Sequence, residues 1–144
     1  LDERLGSIAE LNPVCQRFLK IPGIGPICAL SFYSVIDEPF RFKRNADVGA
    51  YLGLTPRIRQ SGQSSSRLRI SRMGNRMTRA LLVMSAGNYL RCENSAISDW
   101  GMALRERVGA GRARVAVARK LAVLMLAIWK SGDEYRPHPG GCLS

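Results

Sequence analysis

The hexapeptide Ile21-Pro22-Gly23-Ile24-Gly25-Pro26 limits what this chain can fold into more than any other stretch. Two prolines remove backbone donors that a continuous helix needs, and two glycines admit the conformations of a tight turn. Both flanks read as helix. Asn12-Pro13 is an N-cap followed by the proline favoured in a first turn, opening a helix over about residues 13–19. Pro26 opens a second, whose apolar run to Ile36 is ended by Asp37-Glu38-Pro39. The pattern predicts a helix-hairpin-helix over about residues 13–36. Its glycines admit two readings: Gly23 and Gly25 bring backbone N–H groups close to a DNA phosphate at the positive end of the second helix, or they only permit the turn.

The remaining segments extend this to a mainly α fold, a helical bundle with one small two-stranded β-hairpin. Residues 1–11 read as the end of a linker helix with Leu5, Ile8 and Leu11 on one stripe, so the chain is expected to be a piece of a longer protein. Asn45 is expected to cap a helix over 46–52, stopped by Gly53 and Thr55-Pro56. Arg57-Ile58-Arg59-Gln60 and Arg67-Leu68-Arg69-Ile70 alternate with a strand period and predict the hairpin over about 57–70. Gly74-Asn75 then opens a long helix to about residue 91, with Leu81, Leu82, Met84, Ser85 and Tyr89 as its buried face. Two more helices follow, over about 95–108 and 112–130, split by Gly109-Ala110-Gly111. The domain thus runs over about 12–135, and residues 136–144, rich in proline and glycine, read as a flexible tail.

Charge narrows the function. Against 11 acidic residues stand 22 Lys+Arg, a net +11 that calls for a polyanionic partner, nucleic acid before an anionic membrane surface. The uncharged apolar run 121–129 is too short to span a bilayer, and the apolar residues of its helix run round most of the circumference, as in a core helix. Trp100, Trp129 and the methionines read as core. Cys15, Cys28, Cys92, Cys142 and the single His138 are scattered without metal-ligand spacing, so no zinc site is expected, and free thiols in a reducing cytoplasm are. Between Val48 and Cys92 there is no carboxylate, yet eight arginines fall there: Arg57, Arg59, Arg67, Arg69, Arg72, Arg76, Arg79 and Arg91. They read as a phosphate-binding face or as a solvated basic surface. Within this stretch Ser61, Ser64, Ser65 and Ser66 occupy a loop. A serine among guanidinium groups can attack a phosphodiester, but it needs a base or metal that no neighbouring residue supplies, and most such loops are only loops.

The order of motifs resembles a known family. "IPGIGPICA" (21–29), "FRFKRNADVGAYLGLTPRIRQSG" (40–62), "RISRMGNRMTRALLVMSA" (69–86) and "ARVAVARKLAVLMLAIWKSGDEY" (113–135) are similar to the C-terminal domain of the insertion sequence 110/116/902 transposases, relatives of the Piv DNA invertase. The resemblance implies a Ser-Gly nucleophile after Gly-Leu-Thr-Pro, here Ser61 followed by Gly62, that cuts and rejoins DNA through a phosphoserine link. It implies a separate N-terminal domain whose DEDD carboxylates bind Mg²⁺, with no cofactor on this segment. It further implies homo-oligomers acting on DNA in the bacterial cytoplasm, at the nucleoid, in some members with a structured guide RNA. Arg72 stands where the family commonly has lysine, which keeps the charge and loses a proton donor. Ser64, Ser65 and Ser66 remain alternative nucleophiles. The rival expectation is a DNA- or RNA-binding module with no chemistry of its own; an RNA-binding protein of ribosomal type is a third, supported by charge alone.

Overall fold

The computed structural model describes residues 2–54, 66–92 and 95–136. Among them the chain forms α1 (Asp2–Leu11), α2 (Pro13–Leu19), α3 (Pro26–Ile36), a 3-10 turn (Pro39–Arg41), α4 (Asp47–Tyr51), α5 (Ser66–Cys92), α6 (Ala96–Val108) and α7 (Ala110–Ser131). Local chemistry sets several boundaries. Asn12 Oδ1 accepts from the backbone N–H of Val14 at 2.9 Å and of Cys15 at 3.2 Å, which starts α2. Ser95 and Ser98 form a reciprocal capping box at the start of α6. Gly109, at φ 94°, turns the chain directly from α6 into α7.

The core is organised on α7, which buries Ala113, Val117, Ala118, Leu121, Ala122, Met125, Leu126 and Ile128. This helix packs against α2, α4, α5, α6 and the 3-10 turn. Tyr33 stacks on Trp129 at 5.0 Å between ring centroids, and Phe18 meets Phe32 and Trp129 edge-on at 5.5 and 6.0 Å. Phe18 and Phe32, fully buried, each contribute about 1.5–3 kcal/mol. Polar groups inside are paired: Ser31 Oγ and Thr78 Oγ1 share a hydrogen bond of 2.6 Å between α3 and α5. Tyr89 Oη bonds both Ser95 Oγ at 2.7 Å and Tyr135 Oη at 2.9 Å, fastening the segment after α7 to the end of α5.

The helical class and the paired helices α2 and α3 agree with the sequence reading; the β-hairpin does not. Residues 67–70, expected as its second strand, are the first turns of α5, and no strand occurs among the described residues. Four alternating residues are too few to separate the two periods. Arginine and leucine are good helix formers, and Gly74 costs a helix interior only about 1 kcal/mol. The expected first strand, 57–60, lies outside the described residues, as does the tail from 137. The long helix therefore begins at Ser66, not at Gly74-Asn75.

Other differences are smaller. Asn45 does not cap α4, whose preceding residue is Ala46. Gly111 lies inside α7. On α1, Leu11 is 84% exposed and Ile8 is exposed, while Ala9 is buried. The inner face of α5 is Thr78, Leu82, Ser85, Ala86 and Tyr89, while Leu81 is half-buried and Met84 is 64% exposed. Met77 and Met102 are exposed as well, whereas Met125 is core.

Candidate nucleic-acid interface

The turn after α4 gathers basic side chains from two elements. Leu52 and Leu54 are buried and hold Gly53, at φ 73°, on the surface between them. Arg79 of α5 lies across that glycine, its Nη1 2.7 Å from where a Cβ would stand. Asn75, one turn earlier, donates its side-chain amide to the Tyr51 carbonyl oxygen at 2.9 Å. From the other side, the Arg41 guanidinium rests 4.7 Å above the Tyr51 ring and 5.3 Å from that of Phe42. Lys130 Nζ donates to the Phe42 carbonyl oxygen at 2.6 Å, tying this corner to α7. These contacts join the end of α4, the 3-10 turn, α5 and α7 at one corner.

Of the residues nominated from sequence, Arg79 lies half-buried at this corner, and Arg76 is exposed on α5 nearly one turn before it. Arg67, Arg69 and Arg72 belong to the first turns of α5. Arg57, Arg59 and Ser61 lie outside the described residues. Arg41 was missed by sequence reasoning, because its value comes from the Tyr51 ring ten positions along the chain. The signal that was present is the basic run Arg41, Lys43, Arg44, of which Arg44 is paired with Asp47 at 3.3 Å.

The two glycines of the α2–α3 turn separate in the structure. Gly23, at φ 89°, is pressed on α5: a Cβ there would stand 2.8 Å from the Ser85 carbonyl oxygen and 3.0 Å from the Tyr89 nitrogen. Gly25 precedes α3 with open space where its Cβ would be and no side-chain cap on the helix. Beside it, Ile27, Leu81, Met84 and Asn88 wall an open pocket of about 280 Å³. Cys28 at its floor has its thiol pushed up to about 11 by burial, against a lowering hydrogen bond from Ser85.

No cluster of three or more His, Cys, Asp or Glu side chains able to hold a metal ion occurs among the described residues. No helix among them is long and apolar enough to cross a membrane.

Fold and site together define a mainly helical, strongly basic domain with Arg41 and Arg79 beside the end of α4. The model of the transposase IS116/IS110/IS902 family matches residues 15–100, from α2 into α6, and the chain belongs to that family. It is 38% identical over 94% of its length to the transposase for insertion sequence element IS1111A of Coxiella burnetii. It is 33% identical over 85% to a probable family 20 transposase of Pseudomonas aeruginosa, and 31% over 86% to the transposase for insertion sequence element IS1328 of Yersinia enterocolitica. The chain spans only 37–38% of the length of these relatives. No solved structure matches it.

Proposed function

We propose that this chain is the serine-bearing, DNA-binding part of a transposase or site-specific recombinase that cuts and rejoins DNA in the cytoplasm. The observation that carries the reading is the basic corner between the end of α4 and α5. There Asn75 is tied to Tyr51 with Arg79 and Arg41 beside them, and in sequence Ser61 lies between the two tied residues. Membership of a transposase family supports DNA as the partner.

In this reading Ser61 Oγ attacks a DNA phosphorus. One P–O bond forms to serine, the P–O bond to a deoxyribose oxygen breaks, the serine proton is given up and the leaving oxygen takes one. The number of phosphodiester links is kept, so the strand can be rejoined by the reverse attack of another deoxyribose hydroxyl. Arg59, Arg67, Arg69 and Arg72 steady the negative non-bridging oxygens. The α2–α3 pair acts as a helix-hairpin-helix, with Gly25 and the start of α3 taking a backbone phosphate while Gly23 packs the turn on α5. The carboxylates and Mg²⁺ that the resemblance implies belong to a further domain of the intact protein, which acts as an oligomer.

The test is to trap the intact transposase on nicked DNA and map the attached residue. Wild type is expected to yield an adduct at Ser61. Ser61→Ala is expected to bind DNA and yield none. Normal strand exchange by Ser61→Ala would leave a binding module, with all chemistry elsewhere.

A further inference from the structure

A second hollow, of about 760 Å³, lies between the C-terminal half of α5 and the α6–α7 pair. Arg91 of α5, Arg105 of α6 and Arg114 of α7 line it, with Met84, Leu90 and Met102 between them. None of its described lining residues is a carboxylate. Arg91 donates to Asn88 Oδ1 on its own helix. The ion pairs among the described residues, Lys20–Glu134 and Arg44–Asp47, use none of the three arginines. Residues 105–114 hold four arginines against one glutamate.

The backbone adds to this charge. Ala110, the first residue of α7, lines the hollow, and the helix has no side-chain cap. Gly109 and Gly111 have open space where side chains would stand, so a ligand can approach the helix start closely. The walls are also apolar: Met84 is 64% and Met102 45% exposed, flexible thioether chains standing beside guanidinium groups. This hollow and the pocket beside Gly25 share Met84 and Asn88, so together they cross the outer face of α5 as one path.

We propose that this path binds a single-stranded polynucleotide, the arginines pairing with its phosphates and the methionines covering the faces of its unstacked bases. Resting on the reading of the chain as nucleic-acid binding, it adds a surface and a strand state that the reading leaves open. A duplex keeps its bases stacked inside and asks a protein surface chiefly for charge. Exposed methionines set between arginines instead match a ligand that is anionic along its spine and apolar along its side.

The experiment compares fluorescence anisotropy of a labelled oligothymidylate and of a duplex of equal length. The intact chain is measured beside Arg105→Gln/Arg114→Gln and Met84→Ser/Met102→Ser. All four positions are exposed, and circular dichroism checks that helix content is kept. The arginine pair is expected to weaken oligothymidylate binding about tenfold and to make its log–log salt slope less negative by about 1.4, roughly 0.7 for each lost phosphate contact. The methionine pair is expected to weaken it severalfold with the slope unchanged, and duplex binding is expected to fall less in both. Unchanged oligothymidylate binding by the arginine pair overturns the proposal, as does an equal loss for duplex and single strand with no effect of the methionine pair. A wild-type chain that binds neither nucleic acid would defeat the reading under Proposed function, whereas wild-type binding that all four changes leave untouched dismisses this surface alone.

Discussion

The Asn75 side chain and the Tyr51 carbonyl oxygen, 24 residues apart and bonded at 2.9 Å, tie the third turn of α5 to the end of α4. Asn75→Ala removes that tie and leaves a half-buried carbonyl to water. The expected cost is about 0.5–1.5 kcal/mol in urea unfolding. Under the proposed role of Ser61, which lies between these two residues in sequence, strand joining by the intact protein should fall more than DNA affinity does. Equal losses in both would mean that the tie serves stability alone.

Gly23 and Gly25 should behave differently when replaced by alanine. Gly23→Ala places a methyl group against backbone atoms of α5 at a positive φ, so a loss of about 2–4 kcal/mol is expected. Gly25→Ala meets open space and should change stability by less than about 1 kcal/mol. Denaturant titration of the two variants decides the matter; equal effects would contradict the packing described for Gly23.

Arg76 and Arg79 offer a similar contrast one turn apart. Arg76 is exposed, so Arg76→Ala should leave the melting temperature alone and make the salt slope of duplex binding less negative by about 0.9. Arg79→Ala should weaken binding and lower stability together, because its guanidinium also covers Gly53. Salt titrations paired with thermal melts measure both quantities. A stability loss for Arg76→Ala would show that it packs rather than projects.

The thiols give a prediction in pH. Burial pushes Cys15 and Cys28 from 9.0 to about 11, so the folded chain favours their protonated form. Between these values the native state binds more protons than the unfolded one. Their contribution is therefore intact below about pH 9 and declines as pH rises toward 11. At mildly alkaline pH iodoacetamide should modify exposed Cys92 in the native protein, while Cys15 and Cys28 react only on unfolding. Peptide mass spectrometry reads the order, and early labelling of Cys28 would contradict its burial.

What could be read from the sequence was set locally. Asn12-Pro13 starts α2 because the cap and the donors it satisfies lie within three residues. The division between α6 and α7 was legible in Gly109 for the same reason. The strand expected over 67–70 failed because a four-residue alternation carries no information about the helix continuing beyond it. The role of Gly23 depends on Ser85 and Tyr89, and that of Arg41 on the Tyr51 ring; such contacts exist only once the helices have packed. The outward-facing methionines were hidden for a related reason, since hydropathy alone assigns them to the interior.

The central place of α7 has a consequence during synthesis. Every earlier helix that packs on it must wait on the ribosome until residues 110–131 have emerged, because the apolar surface they will share is still missing. A product terminated before Ala110 would lack the Trp129 ring that covers Phe18 and Phe32, and should fall to proteases or aggregate. Cells that carry a frame-shifted copy of such a gene should accumulate little of its truncated protein, whatever sequence remains intact upstream.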